Sequence, residues 1–278
     1  MNDALGDRMK LYESAMAQER FMPLVPIVAR IDGRGFSRFT RGMERPFDAT
    51  MSKAMIHTTK ELVRHTNATV GYTQSDEITL IWFSPSFKSK TWFDGRVQKM
   101  VSLLGSHATL YFNQYILEHM PKYAKRNPTF DARVWNVPNL MEAVNVLIWR
   151  EWDATKNSIQ MAGHHYFSNK QLHKKNTSEI QEMLWSEHGV NWNHYPYFFK
   201  RGTYIGWKEL TTDKKLDQAD IDLLPPKHHA RTNGGYILKD ARIMTELELP
   251  PITQLTNPVE FFFGDVLESN GWNKNTLQ

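Results

Sequence analysis

Along the chain, apolar positions fall into two kinds of run, some at helical spacing and some of strand length. Residues 5–18 are amphipathic and predict a helix. Residues 24–31, LVPIVARI, form an apolar run of strand length, and Asp32-Gly33-Arg34-Gly35 follows at once. Asp48 stands where it can cap a helix in which Met51, Ala54, Met55, Leu62 and Val63 share one face. A strand at about 68–72 and another at 78–83, ITLIWF, predict a hairpin with Gln74-Ser75-Asp76-Glu77 at its apex. A stripe from Val97 through Met100, Leu104, Ala108 and Phe112 to Ile116 predicts one long helix over 94–119, and its apolar side reads as core. Residues 131–137 read as another strand. Pro138-Asn139 leads into a helix running towards residue 167, with Leu140, Ala143, Val144, Leu147 and Ile148 on one side, and a further helix lies near 178–188. After Gly202 the character changes: short strands are expected at 203–210 and 234–238, and a smaller C-terminal lobe from residue 205.

The 278 residues suit one large domain, or a catalytic domain with an appendage. Hydrophobic residues at 41% are enough to bury a core, and no tract is of low complexity. A net charge of +4 permits a nucleic-acid partner without requiring one. With no cysteine, disulfides and thiolate zinc sites are excluded. No apolar run approaches the roughly 20 residues of a membrane helix, and the polar N-terminus has no signal-peptide core, so a soluble cytoplasmic protein is expected.

Candidate chemistry centres on two acidic pairs, Asp32-Gly33 and Asp76-Glu77. The strand–helix–hairpin order lets the first strand pair beside the hairpin, bringing both clusters to one edge of a sheet. Carboxylates there can bind Mg²⁺, which takes oxygen ligands and commonly uses one or two protein carboxylates plus substrate phosphates. Two such ions roughly 3.5–4 Å apart hold the attacking and leaving oxygens of an in-line phosphoryl displacement. The Gly33 carbonyl is a further candidate ligand. Asp-Gly and Ser-Asp-Glu are equally at home in solvated turns, so spacing alone leaves both readings open. Arg30, Arg34, Arg38, Arg41 and Arg45 lie within one stretch, and arginine's planar fork suits phosphate. A basic surface loop is the alternative. Lys99 on the long helix can reach the same edge, or be an ordinary surface lysine. The pairs His164-His165 and His228-His229 diverge on a helix and read as surface histidines. Trp149 and Trp152 can stack on bases, though packing accounts for them as well. The chain has no P-loop, no G-x-G-x-x-G and no H-E-x-x-H.

The segments ARIDGRGFSRF (29–39), RPFD (45–48) and GYTQSDEITL (71–80) resemble the histidine-tRNA guanylyltransferase family of 3′-to-5′ polymerases, including its bacterial-type relatives. FDARVWNVPNLMEAVNVLIWREWDATKNS (130–158), MLWSEHGVNWN (183–193) and FKRG (199–202) continue the likeness in order. The resemblance covers roughly residues 5–205. It implies an α+β fold with a polymerase- and cyclase-like palm, helical additions and a small C-terminal lobe. Residues 1–204 would then be the catalytic domain with its RNA-binding helices, and 205–278 an extension.

The resemblance further implies metal ligation by Asp32, the Gly33 carbonyl and Asp76, with two Mg²⁺ ions and with Glu77 as the adjacent catalytic acid. Asp32, Gly33, Arg34, Gly35, Phe36 and Ser37, with Ser75 and Asp76, would contact the triphosphate. Arg45 and Asp48 would lie near the nucleotide, Arg30 and Lys99 at the 5′-end activation step, and Asn157 in a later helical motif. The implied reaction activates an RNA 5′-monophosphate with ATP, then lets the 3′-hydroxyl of GTP attack it. The implied partners are tRNA and other copies of the chain in a homotetramer. The sequence departs from eukaryotic members where His-Ile-Asn-Asn becomes Thr155-Lys156-Asn157-Ser158, where a lysine becomes Ile180, and where a histidine becomes Ser37. These changes resemble bacterial-type relatives that repair 5′-truncated tRNA. A nucleotidyl cyclase or synthase on the same palm, and a non-catalytic RNA-binding protein, are the competing functions. The helical motifs at 130–202 argue against the first, and intact Asp32 and Asp76 against the second.

Overall fold

A computed structural model describes residues 3–268 apart from positions 213, 240 and 248. Six strands form one antiparallel sheet: β1 (Ile27–Arg34), β2 (Val70–Gln74), β3 (Glu77–Trp82), β4 (Thr129–Asn136), β5 (Thr203–Leu210) and β6 (Ala241–Leu247). Their spatial order is β4-β1-β3-β2-β5-β6. The helices are α1 (Ala4–Ala17), α2 (Phe36–Phe39), α3 (Ala49–Thr66), α4 (Val97–His119), α5 (Pro121–Ala124), α6 (Leu140–Tyr166), α7 (Asn169–Leu172), α8 (Thr177–His188), α9 (Tyr197–Arg201), α10 (Gln218–Leu223) and α11 (Pro258–Glu268).

Strand alternation divides the apolar side chains between two layers. Ala29 and Ile31 of β1, with Ile78 and Leu80 of β3, pack against Met55 and Leu62 of α3 and Leu104, Ala108 and Phe112 of α4. Val28, Ile81, Tyr72 and Tyr204 face the other way, onto Val144 and Leu147 of α6 and Phe262 and Phe263 of α11. The sheet is therefore covered on both faces. A separate cluster of Ile159, Ala162, Leu172, Ile180, Leu184 and Trp192 joins the far half of α6 to α7 and α8.

Two expectations from the sequence change. The first strand does not end before Asp32 but continues to Arg34. Asp32 pairs with Glu77 on one side and Asp131 on the other, and Gly33 pairs with Phe130. Ladders on both sides outweigh the turn preference of Asp-Gly. Residues 234–238 form no strand, because Gly234 and Gly235 both have positive φ, at 62° and 87°, and an extended ladder cannot pass through them. The last strand is β6 instead. Residue 205 falls inside β5, which bonds to β2 and β6, while Leu210, Leu216, Leu224, Ala230, Ile237 and Ile243 form a small core of their own. Positions 1–2 and 269–278 of the expected 1–204 and 205–278 units lie outside the described residues.

Candidate active site

The acids meet at one end of the sheet. Register places Asp32 directly across from Glu77. The two-residue turn between β2 and β3 has Ser75 at φ 56°, and Gly33 N–H donates to the Asp76 carbonyl at 3.0 Å. That bond pins the hairpin turn to β1 beside Asp32. Ser75 Oγ donates to Asp76 Oδ1 at 3.0 Å. Burial pushes the Asp76 carboxyl up from its ordinary value, the Ser75 hydrogen bond opposes this, and the charge of Asp32 adds to it.

Arg30, Asp32 and Glu77 project towards α6 by strand alternation. Glu77 is ion-paired to Arg30 on one oxygen and to Arg150 of α6 on the other. Arg150 also reaches Asp153 at 3.0 Å, and Arg30 lies 4.0 Å from Asp32. Burial raises the Glu77 carboxyl from its ordinary value, against the pull of Arg150 and Arg30. With each oxygen taken by a guanidinium, Glu77 is held as a strut between β1 and α6. The same helix face carries Asp153, Asn157 and Met161 onward at spacings of four residues.

The segment after Asp32 is shaped by the core beneath it. A Cβ at Gly33 would stand 2.3 Å from the Phe36 ring, so close approach demands glycine there. Phe36 in turn packs against Phe39, Phe112 and Phe130 at 5.1–5.4 Å between ring centres. Gly35 turns the chain at φ 68° into α2. Asp48 caps α3, accepting from Thr50 N at 2.9 Å and Met51 N at 3.0 Å.

Phe36, Ser37, Arg45, Asp48, Ser75 and Asp76 line a cavity of about 360 Å³, closed by Phe198, Phe199 and Met161. That volume is within the range of small-ligand sites. Arg34 and Gly35 line a different cavity, on the other side of α2. Lys99 is not brought to the cleft: it is exposed in the first turn of α4, on the opposite layer from Asp32, with its ammonium 5.6 Å from the Phe93 ring centre. Asn157 is exposed on α6, one turn before Met161. Arg150 escaped the sequence reading. Its signal was a charged residue on the buried stripe Ala143, Leu147, Arg150, Ala154, and only 6% of its side chain is exposed.

Among the described residues, no three or more His, Asp or Glu side chains converge as a ready-made metal cage. Asp32 and Asp76 nevertheless lie at the same end of the sheet, Asp32 across from Glu77 and the Asp76 carbonyl bonded to Gly33 N–H at 3.0 Å. Two carboxylates beside the Gly33 backbone make an all-oxygen donor set. Mg²⁺ accepts such a set when phosphate and water complete the shell. The residues fit that ion.

A family model described as tRNAHis guanylyltransferase matches residues 6–138. The tRNA(His) guanylyltransferase of Saccharomyces cerevisiae is 31% identical over 201 residues, 66% of this chain and 83% of the yeast protein. A bacterial tRNA(His) guanylyltransferase (Thg1)-like protein solved in complex with ATP superimposes with a TM-score of 0.76 at 31% identity, covering 93% of this chain and 98% of that one. Its complex with GTP gives a TM-score of 0.70 at 28% identity, covering 94% and 99%. With 31% identity over 83% of the yeast enzyme, and a superposition on the bacterial protein that covers 93% of this chain, this chain belongs to the tRNA(His) guanylyltransferase family of nucleotidyltransferases.

Proposed function

We propose that the chain adds nucleotides, guanylate foremost, to the 5′ end of tRNA, and that it acts as a template-directed repair enzyme for 5′-truncated tRNAs. The observation that carries this reading is Asp76 in the wall of a nucleotide-sized cavity, its carbonyl bonded to Gly33 N–H at 3.0 Å so that Asp32 stands in the adjacent position of β1. The solved ATP and GTP complexes of the bacterial relative support ATP and GTP as substrates.

In this reading Asp32, the Gly33 carbonyl and Asp76 would hold two Mg²⁺ ions. Bound there, Mg²⁺ supplies charge stabilisation to phosphoryl oxygens and favours ionisation of the attacking group. The chain's own residues do the positioning. Phe36, Ser37, Arg45, Asp48 and Ser75 orient one nucleotide in the cavity, while Arg34 and Gly35 line the separate cavity beyond α2. Arg30, steadied by Glu77, offers a guanidinium to a phosphate whose charge grows in the transition state. Asn157, exposed on the α6 face that also carries Asp153, acts on the approach of the RNA end rather than on the bound base. In the first step an oxygen of the RNA 5′-phosphate attacks the α-phosphorus of ATP, and pyrophosphate leaves. In the second the 3′-hydroxyl of GTP loses its proton and attacks the 5′-phosphorus, and AMP leaves. Both are in-line displacements at one centre, so one set of groups serves both.

Thr155-Lys156-Asn157-Ser158 in place of His-Ile-Asn-Asn favours repair over strict histidine-tRNA selection. The catalytic unit and its C-terminal extension share β5, and the working unit is a cytoplasmic homotetramer.

Two matched 5′-monophosphorylated tRNAs test this, one full-length and one lacking its first nucleotide, each incubated with ATP, labelled GTP and Mg²⁺. Growth of the truncated tRNA alone supports templated repair. Growth of full-length histidine tRNA points to identity-setting guanylylation instead, and cyclic or linear dinucleotide products with no RNA growth would replace the proposal with a synthase. Asp32→Ala and Asp76→Ala are each expected to abolish addition with unfolding temperature near wild type. Wild-type turnover in either would remove the metal assignment.

A further inference from the structure

On the far side of α2 from the nucleotide-sized cavity lies a second, open cavity of about 640 Å³. The one-turn helix separates them: Ser37 and Thr40 line the first, Arg38 and Arg41 the second. Four arginines, Arg34, Arg38, Arg41 and Arg126, line this second cavity, and no Asp or Glu does. Arg20, Arg30, Arg64, Arg133, Arg150 and Arg201 each have a carboxylate within 4.0 Å. Among the described residues, none of the four in the cavity has one. Four uncompensated guanidiniums around one hollow repel each other, an arrangement that an anion relieves.

The cavity is also built rather than accidental. Arg126 donates through Nη1 to the Arg41 carbonyl at 2.7 Å and to the Phe39 carbonyl. Its guanidinium lies over the Tyr123 ring at 4.6 Å, and Tyr123 donates to the Gly42 carbonyl at 2.8 Å. The wall is thereby fixed to the segment after α2 before any ligand arrives.

We infer that this cavity seats the sugar–phosphate backbone of the RNA strand that leads to the reacting 5′ end. Arg34 is two residues beyond Asp32 on β1, about 7 Å along the strand. The arginines come from β1 two residues past Asp32, from α2, from the segment after it and from the connection before β4. A triphosphate is compact and is satisfied by donors gathered at one point. Separate arginines drawn from β1, α2, the segment after it and the connection before β4 match successive phosphodiesters. Only Phe39 and Pro128 add apolar surface, both buried, so the cavity offers no exposed aromatic plane for a base. The contact is to the backbone and independent of sequence. This inference rests on the proposed action at an RNA 5′ end.

The test measures binding of a fluorescent 5′-monophosphorylated acceptor-stem hairpin across a series of KCl concentrations. It compares the full chain with Arg38→Gln/Arg41→Gln and with Arg38→Lys/Arg41→Lys, and GTP binding is measured in parallel. Losing two phosphate contacts lowers the slope of log affinity against log salt by about 1.4–1.8, and RNA affinity falls by roughly tenfold at low salt. The lysine pair keeps the slope, because point charges still release counterions, and GTP affinity is unchanged in both variants. An unchanged slope in the glutamine pair overturns the inference. So does loss of GTP affinity with RNA binding intact, which would make the cavity a triphosphate site. Absence of RNA binding in the wild type overturns it together with the functional proposal. Steep, variant-sensitive RNA binding without any 5′ extension removes the functional proposal alone and leaves the backbone seat standing.

Discussion

Glu77 is half-buried between two guanidiniums, and each partner offsets the cost of taking its charge from water. Removing Arg150 leaves the inner oxygen facing α6 with no counter-charge and leaves Asp153 without its 3.0 Å partner. Arg150→Met leaves Glu77 with Arg30 as its remaining guanidinium and is expected to destabilise the fold by about 2 kcal/mol, the scale of a lost hydrogen bond to a charged group. Urea denaturation near neutral pH reads this directly, and a loss below about 1 kcal/mol would mean that water already serves Glu77. At this scale the sequence was legible where a residue's role depends on its neighbours in the chain. Ser75 and Asp76 sit at a two-residue hairpin apex that local turn chemistry announces, whereas Asp32 and Gly33 take their strand conformation from ladders far along the chain. Arg150 lies 73 positions from Glu77, and nothing near it in sequence announces that partner.

Elements were legible by period, and they failed where pairing or backbone sign intervened. The 3.6-residue stripes of α3, α4 and α6 correspond to helices within a few residues of the expected ends. The first strand ran past its expected end because two flanking strands gave Asp32 and Gly33 ladder partners. Asp48 illustrates how an element and a site share one residue: it caps α3 and also lines the 360 Å³ cavity. The two roles separate by substitution. Asp48→Ala removes the acceptor for Thr50 N and Met51 N and should lower stability by about 1 kcal/mol. Asp48→Asn keeps a capping oxygen and should lose only a few tenths of that. If nucleotide affinity, measured by calorimetry, falls equally in both, the carboxylate charge matters to the ligand. If it falls only with the cap, Asp48 serves the nucleotide through α3 alone.

The whole molecule is two helical layers over one sheet, and the chain returns late to complete the second layer. Glu151 stands where that return is fastened. It is buried on α6, accepts from Tyr204 Oη of β5 at 3.0 Å and from Ile252 N at 3.2 Å, just before α11 closes over the sheet, and lies 3.6 Å from Arg201. Burial raises its carboxyl from the ordinary value, with the Tyr204 and Ile252 hydrogen bonds and then Arg201 opposing. A carboxyl raised in the folded state keeps its proton where the unfolded chain has already lost it. Its contribution is therefore fully present below the ordinary glutamate value and is lost as pH rises through the folded value. Glu151→Gln does not titrate but still offers an oxygen to Tyr204 or Ile252. The stability of wild type minus that of Glu151→Gln should then decrease from acid towards neutral pH. Urea unfolding across that range measures the difference at each pH. A difference that holds constant or grows would show that the Tyr204, Ile252 and Arg201 contacts outweigh burial. The late-returning segment would then be fastened by an ionised Glu151 rather than strained by one.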